Sequence, residues 1–318
     1  MSALLITRPM PEAVMREARA LTDALGGAVR MRETNAPMDE SEMRAAMLTF
    51  DAIIPTLGDA CSAATMAGTC KLLANFGVGF NHIDVAAARA AGIAVTNTPG
   101  AVTDATADIA LTLMLMTCRR AGEGERLVRG GAWQGWHPTQ MLGMHLSGKR
   151  VGIVGMGRIG EAIARRCHFG FGMDIVFFNR SPKSLDFPAQ QMPDLAACLS
   201  AADIVVIAVP GGGETRHLID ARALAAMPAH GHLVNIARGD VIDEAALIDA
   251  LRAGQIAGAG LDVYEHEPEV PDALKQMEHV VLLPHLGTAA LEVRVSMGRM
   301  ALANVRAFFE GTPLPNPV

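Results

Sequence analysis

The stretch Val151–Arg166, VGIVGMGRIGEAIARR, joins an apolar run to an alanine-rich helical pattern through three glycines. Gly155, Gly157 and Gly160 are spaced as G-x-G-x-x-G at the turn between a predicted strand and a predicted helix. The first glycine permits the tight turn, the second lets the backbone approach a pyrophosphate, and the third lets helix and strand pack closely. Because the helix N-terminus stabilises an anion, the stretch predicts a dinucleotide site rather than a glycine-rich turn that serves packing alone.

On both sides of this stretch, short apolar strands alternate with alanine-rich helical segments in two blocks. Five strand candidates precede residue 100 and six follow residue 149, which is typical of parallel sheets with helices on both faces. The sequence therefore predicts an α/β protein with two doubly wound parallel-sheet domains. We expect a Rossmann dinucleotide-binding domain over 100–288 and a second domain over 1–99 plus 289–318. A long helix from Val102 to Arg129 and the following loop, about 101–149, belong to the Rossmann domain.

Composition excludes several classes of protein. The 318 residues are 50% hydrophobic with a net charge of −6, and no basic stripe predicts a nucleic-acid partner. The apolar segments near residues 1–10 and 109–118 are too short to span a bilayer, so no membrane partner is expected. Five cysteines, scattered without metal-ligand spacing, indicate reduced core thiols of a cytoplasmic protein, and no metal site is expected.

A second strand, ending in VFFNRS (176–181), lacks the carboxylate that NAD-binding proteins usually carry at this point. Asn179 lies 19 residues past Gly160, where an Asp or Glu would bind the ribose 2′-hydroxyl and repel a 2′-phosphate. Arg180 can instead donate paired hydrogen bonds to a phosphate, with Ser181 beside it and Lys183 nearby. The alternative is that Arg180 is a solvated surface arginine; the motif favours NADPH, with NADH as a weaker alternative.

Charged side chains follow three later strands of the second block. Arg238 ends one strand, Asp262 and three glutamates follow the next, and His285 follows the last. Because an open parallel sheet binds ligands at the carboxyl ends of its strands, this set predicts a site for a substrate with a carboxylate and a carbonyl. The alternation of the glutamates does not choose among Glu265, Glu267 and Glu269.

Six motifs make the chain resemble the D-isomer-specific 2-hydroxyacid dehydrogenases over nearly its whole length. They occur in the family's order: FGVGFNHIDV, NTPGAVTDATADIALTLML, GMGRIG, NIARGD, GLDVYEHEP and PHLG. The segments RRAGEGERLVRGGAWQGWHP and LPNPV are most similar to those of glyoxylate/hydroxypyruvate reductases and D-glycerate dehydrogenases. The resemblance implies a flavodoxin-like substrate domain, an active-site cleft between the two domains, and a homodimer.

The resemblance also implies roles for individual residues. Arg238 would bind the substrate carboxylate and carbonyl oxygen, His285 would be the general acid, and Glu267, directly before Pro268, would hydrogen-bond this histidine. A neighbouring carboxylate favours the imidazolium form, which suits an acid. Val78, Gly79 and Trp136 are the other implied substrate contacts, although packing is an equally good interpretation of Trp136. The implied cofactor contacts are Thr103, Gly155, Met156, Gly157, Arg158, Ile159, Gly160, Asn179, Arg180, Ser181, Val209, Pro210, Thr215, Ile236, Ala237, Arg238, Asp262, His285 and Gly287.

The implied activity is the reduction of a small 2-oxoacid, glyoxylate or hydroxypyruvate, by NADPH. Formate oxidation is disfavoured because that branch of the family carries glutamine where this chain has Glu267. A larger substrate, of the 2-ketogluconate or phenylpyruvate type, is an alternative within the same chemistry. In a different class, a dinucleotide-sensing co-repressor on this fold also keeps the Arg/Glu/His set, but the chain has no segment that resembles a peptide-docking site.

Overall fold

The computed structural model describes residues 3–318, and the chain divides into two compact units. The first contains the residues up to Val102 together with Thr288–Val318. Its strands are β1 Ala3–Ile6, β2 Ala28–Met31, β3 Ala52–Ile54, β4 Leu72–Ala74 and β5 Ala94–Thr96, and its first helices are α1 Glu12–Ala24, α2 Glu40–Thr49 and α3 Val85–Ala90. The sheet is parallel throughout in the order β2-β1-β3-β4-β5, which is the flavodoxin-like order.

The second unit, Thr103–Gly287, has seven parallel strands. These are β6 Arg150–Val154, β7 Asp174–Phe178, β8 Gln190–Gln191, β9 Ile204–Ile207, β10 His232–Asn235, β11 Gly258–Leu261 and β12 Val280–Leu282. Its helices are α4 Thr103–Cys118, α5 Ala121–Arg129, α6 Arg158–Phe171, α7 Leu195–Ala201, α8 Ala221–Ala225, α9 Glu244–Arg252 and α10 Asp272–Lys275. The strand order is β12-β11-β10-β9-β6-β7-β8: β7 and β8 lie on one side of β6, and β9 to β12 lie on its other side, which is a Rossmann arrangement. The prediction of two α/β domains is confirmed.

The strands of the second unit are apolar because helices cover both faces of the sheet. All four residues of β9 and of β10 are buried, including the polar Asn235. One buried cluster contains Val205 and Leu233, and another contains Val206 and Val234, so alternate residues of a strand enter different cores. This burial on both faces explains why the predicted strands are continuous apolar runs without polar alternation.

The structure differs from the sequence-based expectations in three local details. The single helix predicted from Val102 to Arg129 is wrong: α4 ends at Cys118 and α5 begins at Ala121. Arg120, between them, has φ +53°, a left-handed conformation that a continuous helix does not contain. The edge strand β8 was not predicted, because its two residues, Gln190 and Gln191, are polar. The first unit ends at Val102, three residues past the expected boundary at 99, directly before α4 begins.

A C-terminal helix, α11 Leu291–Glu310, belongs to the first unit and packs against α1. The close approach depends on Gly298, because a Cβ at this position would lie 2.5 Å from Cγ2 of Val14. Valine is stiff about χ1, so its methyl groups cannot move aside easily. The close packing of α11 against α1 therefore depends on one small residue.

The five cysteines are all buried and unpaired. Burial raises the pKa of each thiol, Cys61, Cys70, Cys118, Cys167 and Cys198, to about 12. They are core residues, as predicted. No helix within residues 3–318 is both long and apolar enough to cross a membrane.

Replacing Gly298 with alanine should destabilise the first unit. The added methyl group overlaps Val14, and overpacking of this kind costs about 1–3 kcal/mol in the free energy of unfolding. Gly170 in α6 is the matched control, because a Cβ there meets nothing within 4 Å. Gly170→Ala should raise stability by about 0.5–1 kcal/mol. Urea unfolding followed by circular dichroism measures both changes, and equal midpoints for the two variants would contradict the packing argument.

Candidate active site

The glycine turn after β6 has the shape that a pyrophosphate needs. Gly155 has φ +101°, and a Cβ on it would lie 2.8 Å from the carbonyl of Ala208 in the segment after β9. A Cβ on Gly160 would lie 2.1 Å from the oxygen of Gly155, so this contact between helix and turn needs glycine. Gly157 caps α6 and has open space where a side chain would be. The turn therefore leaves room for a phosphate at the N-terminus of α6, and the residues present fit a dinucleotide.

Asn179, at the end of β7, uses its side chain to shape the neighbouring loop. The N–H of Met156 in the glycine turn donates to Oδ1 of Asn179 at 3.0 Å. Its Nδ2 donates to the carbonyl oxygen of Ser181 at 2.9 Å and to the hydroxyl oxygen of Ser181 at 3.1 Å. The amide thus ties the glycine turn to residues 179–181, and Gln191 donates to the Asn179 carbonyl oxygen at 2.9 Å.

Arg180 projects from this loop and forms an ion pair with Glu214. Both side chains are 80% exposed. Glu214 lies on the loop after β9, in a turn closed by Thr215, whose hydroxyl donates to the Pro210 carbonyl oxygen at 2.7 Å. The arginine predicted to bind a phosphate is therefore at the surface and beside a carboxylate that the sequence did not connect with it.

Arg238 follows β10 and is held by its neighbours. The side chain of Asn235 donates to the Arg238 carbonyl oxygen at 2.8 Å, and the N–H of Ala237 donates to Oδ1 of Asn235 at 3.0 Å. One Arg238 nitrogen donates to the Ala237 carbonyl oxygen at 2.7 Å. Burial lowers the pKa of Arg238, and the charges of Glu267 and Asp240 oppose this change. A guanidinium remains charged under these conditions, so a cation is present in this pocket.

Gly211, to which no role was assigned from the sequence, is required for the position of this arginine. A Cβ on Gly211 would lie 2.6 Å from Cγ of Arg238. The loop after β9 therefore packs directly on the aliphatic part of the arginine. From the sequence, the triplet Gly211 to Gly213 is compatible with close passage beside the adenosine half of a cofactor or with a mobile loop, and it does not reveal the contact with Arg238.

His285 and Glu267 form the pair that the resemblance implied. Nδ1 of His285 and Oε2 of Glu267 are 2.8 Å apart, while the other carboxylate oxygen accepts the N–H of Tyr264 at 3.1 Å. Burial raises the pKa of Glu267, but the hydrogen bond and charge of His285, the Tyr264 N–H and the charge of Arg238 hold this pKa below its ordinary value. Glu265 contacts Arg216 and His217 instead, at 3.0 and 2.8 Å.

Asp262 fixes the backbone on which His285 stands. Its carboxylate is buried and accepts the N–H groups of Leu286 at 2.6 Å and Gly287 at 2.8 Å, while its carbonyl oxygen accepts the N–H of His285 at 2.9 Å. His285 has φ +55°, an uncommon conformation for a residue with a side chain. Burial raises the pKa of Asp262, and the two N–H donors and the His285 charge oppose the rise. These contacts hold the imidazole in a strained but defined position.

The remaining predicted cofactor contacts of this unit lie at the carboxyl ends of its strands or at helix starts. Thr103 begins α4. One turn further along this helix, the Thr106 hydroxyl donates to the carbonyl oxygen of Gly287, in the loop after β12, at 3.1 Å. The others are Arg158 and Ile159 at the start of α6, Val209 and Pro210 after β9, and Ile236 and Ala237 after β10. Trp136 stands apart from them on the loop after α5 and is 79% exposed.

In the first unit, Val78 and Gly79 lie in the loop after β4. The side chain of Asn75 donates to the carbonyl oxygens of Gly77 and Gly79 at 2.9 and 3.0 Å, and that of Asn97 donates to Val78 at 2.9 Å. These contacts occupy the carbonyl groups of the loop rather than its N–H groups. Sequence reasoning missed both asparagines, although an asparagine at a strand end, where it can bind nearby backbone, was a usable signal.

The second unit therefore brings together an arginine, a histidine and two carboxylates near a glycine turn. A histidine bonded to a carboxylate through Nδ1 can deliver a proton from Nε2, and an arginine can bind a carboxylate through two parallel hydrogen bonds. Among residues 3–318, no three histidine, cysteine or acidic side chains are grouped as a metal ion would require. The arrangement is suited to proton transfer beside a bound anion.

Comparisons with known proteins agree with this geometry. The family model described as D-isomer specific 2-hydroxyacid dehydrogenase, NAD binding domain, matches residues 111–287. The glyoxylate reductase of Thermococcus onnurineus is 39% identical, covering 99% of this chain and 95% of the relative. The glycerate dehydrogenase of Hyphomicrobium methylovorum is 35% identical, covering 98% and 97%.

Among solved structures, the chain is similar to an NADPH-dependent glyoxylate/hydroxypyruvate reductase from Sinorhizobium meliloti in complex with NADP and malonate. The TM-score is 0.89 at 34% identity, and the match covers 100% of this chain and 96% of the other. The similarity extends over the whole chain, and the sequence identity is higher than a shared fold alone requires.

Replacing Glu267 with glutamine should reduce the sensitivity of the protein to acid. Because the pKa of Glu267 is lower in the folded than in the unfolded protein, its ionisation stabilises the fold above the unfolded pKa of about 4.3. That contribution is lost as the pH falls through the folded pKa. Urea midpoints of the parent and Glu267→Gln should therefore differ most at pH 7, and the difference should shrink as the pH falls below about 4.3. Glu269→Gln, which removes an exposed carboxylate from the same loop, is the control, and a pH-independent difference for Glu267→Gln would contradict the linkage.

Proposed function

The chain belongs to the D-isomer specific 2-hydroxyacid dehydrogenase family, and from this membership we propose that it reduces glyoxylate or hydroxypyruvate to the D-2-hydroxyacid, with NADPH as the hydride donor. Membership makes it an oxidoreductase with a nicotinamide dinucleotide cofactor. The glyoxylate reductases and the glycerate dehydrogenase among its relatives support a small 2-oxoacid as substrate. The preference for NADPH, the role of His285 as general acid and the identity of the 2-oxoacid substrate are proposals.

One observation carries the proposal, the hydrogen bond of 2.8 Å between His285 and Glu267. This hydrogen bond leaves Nε2 of the imidazole for the substrate. The pair lies in the same unit as the glycine turn and the partly buried Arg238. A general acid with an anchoring carboxylate, a cation and a dinucleotide cradle are the parts that carbonyl reduction needs.

The mechanism assigns a separate task to each side chain. Arg238 binds the carboxylate and the 2-oxo oxygen of the substrate, which orients the carbonyl and polarises it. A bound NADPH supplies the hydride that the 2-oxo carbon receives. His285 gives its Nε2 proton to the 2-oxo oxygen, so the product is the neutral alcohol, and Glu267 stabilises the imidazolium before this transfer. Asp262 keeps the His285 loop in place on the nicotinamide side of the cofactor site.

The other predicted contacts complete the proposed site. The N–H groups of Val78 and Gly79 bind the substrate carboxylate, a role supported by side-chain contacts that occupy the carbonyl groups of this loop. Thr103, the glycine turn with Met156, the strand-end residues and Gly287 contact the cofactor. These assignments rest on the resemblance, and the positions of the residues within each unit are compatible with them.

NADPH is the proposed cofactor because Asn179 replaces the usual carboxylate and Arg180 is exposed beside it. A neutral amide does not repel a 2′-phosphate, and an arginine can bind this phosphate through charge-assisted hydrogen bonds. A similar solved reductase is described as NADPH-dependent, which supports the choice. NADH is retained as the weaker alternative.

The proposal also places the protein in the cytoplasm, for which the five unpaired cysteines are the support.

Purified protein should reduce glyoxylate and hydroxypyruvate with NADPH faster than it reduces 2-ketogluconate or phenylpyruvate. A panel of these four acids, assayed with both cofactors, measures kcat/KM for each pair.

His285→Asn should lower kcat for the preferred acid by about 100-fold or more, because a positioned general acid contributes at least this much. The Kd for NADPH, measured by nucleotide fluorescence, should change far less than kcat, because His285 is only one of many predicted cofactor contacts.

His266→Asn is the control for this variant, because His266 is an exposed neighbour of Glu267 and has no proposed role. An unchanged kcat in His285→Asn would remove the acid assignment. Faster turnover of the larger acids would contradict the proposed substrate class while leaving the acid assignment intact, and a higher kcat/KM with NADH would contradict the cofactor.

A homodimer is part of the proposal, with Trp136 reaching the substrate site of the partner. Helix α5 has no buried residue, and the segment from this helix through the next loop exposes Val128 (59%), Trp133 (53%), Trp136 (79%) and Leu142 (67%). Exposed apolar side chains grouped in this way are typical of an interaction surface.

Light scattering after gel filtration should therefore give twice the mass of one chain. Trp136→Ala should change the ranking of the four 2-oxoacids without changing this mass, because a single contact at the substrate is lost. Trp133→Ala is the matched control and should keep the ranking. A monomeric mass would contradict the dimer, and an unchanged ranking in Trp136→Ala would show that this tryptophan serves packing alone.

A further inference from the structure

The carboxylate that β7 lacks is present on the adjacent loop. Where Asn179 ends the strand, NAD-binding proteins usually place an acidic residue that accepts the ribose 2′-hydroxyl. In this protein the amide of Asn179 is engaged with Met156 and Ser181. A carboxylate does reach this position from the loop after β9, because Glu214 pairs with Arg180, the residue after Asn179.

The turn that carries Glu214 is held at several points. The N–H groups of Thr215 and Arg216 both donate to the Gly212 carbonyl oxygen at 3.0 Å, and the Thr215 hydroxyl donates to Pro210. On the far side of the turn, Arg216 and His217 contact the carboxylate of Glu265, whose side chain is only 10% exposed. Glu214 is therefore presented beside Arg180 from an anchored loop.

We infer that Glu214 is a specificity-determining residue that restrains the preference for NADPH and keeps NADH usable. This inference rests on the proposed function, since it concerns the same cofactor site. A 2′-phosphate bound to the Arg180 guanidinium comes close to the Glu214 carboxylate, so two negative groups share one cation. A 2′-hydroxyl carries no charge and can donate to this carboxylate, as it does to the usual acidic residue.

The expected effect is modest because both side chains are 80% exposed. Exposed charge interactions contribute little, so removing the Glu214 charge should strengthen NADPH binding by about two- to five-fold. The effect should shrink at high ionic strength, since salt screens exposed charges.

Two variants separate the charge of Glu214 from its hydrogen-bonding capacity. Glu214→Gln removes the charge and keeps a carbonyl acceptor, whereas Glu214→Ala removes both. Both should lower the Kd for NADPH by about two- to five-fold at low salt. Only Glu214→Ala should also raise the Kd for NADH, by about the same factor, because the 2′-hydroxyl loses its acceptor.

Nucleotide fluorescence titrations at 0.05 and 0.5 M NaCl measure these constants, and adenosine 2′,5′-bisphosphate serves as a competing probe for the 2′-phosphate alone. Glu278→Gln is the matched control, because Glu278 is also an exposed glutamate paired with an arginine, Arg126, in the same unit. It has the same change in net charge and should leave both constants unchanged. Circular dichroism confirms that each variant is folded.

The inference is overturned if Glu214→Gln and Glu278→Gln bind NADPH equally, or if the gain is the same at both salt concentrations. The proposed cofactor has a separate test in Arg180→Gln, which should weaken the binding of NADPH and of the bisphosphate probe but not that of NADH. If Arg180→Gln leaves the binding of NADPH and of the probe unchanged, the proposed Arg180 contact fails and the premise of the inference fails with it. If Arg180→Gln weakens NADPH binding while Glu214→Gln does not strengthen it, only the inference about Glu214 is overturned.

Discussion

The buried carboxylate of Asp262 is the constraint on which the reactive part of the molecule depends. By accepting two consecutive N–H groups, it holds the loop after β12 in a conformation that places His285 at positive φ. That conformation directs the imidazole to Glu267, which is itself positioned by the N–H of Tyr264. A side chain at 1% exposure thus determines the geometry of the proposed general acid, and the raised pKa of Asp262 reflects the cost of burying it.

Much of this architecture could be predicted because it depends on local patterns. Continuous apolar strands, a G-x-G-x-x-G turn and charged residues at strand ends indicate two parallel sheets and one site without any knowledge of long-range contacts. The choice of Glu267 over Glu265 could not be made in this way, since all three glutamates of the loop have the same chemistry. Their partners decide it: His285 is 18 residues away, and Arg216 and His217 are 49 and 48 residues away from Glu265.

The predictions that failed, or that the sequence could not make, concern geometry at single residues. One residue at positive φ, Arg120, ends the long helix that composition favoured, because helix propensity does not reveal a backbone reversal. The contact of Gly211 with Arg238 and the ion pair of Arg180 with Glu214 join segments that are far apart in the chain. Glycine triplets and exposed glutamates are common, so only the folded positions show which of them touch the site.

The thiols of this protein carry a further consequence. A thiol reacts as its thiolate, and because burial raises the pKa of all five cysteines, little thiolate forms near neutral pH. Oxidants and alkylating agents therefore find almost no nucleophilic sulfur while the fold is intact, and no sulfur stands among the groups that perform the chemistry. The proposed chemistry therefore does not depend on the oxidation state of any cysteine.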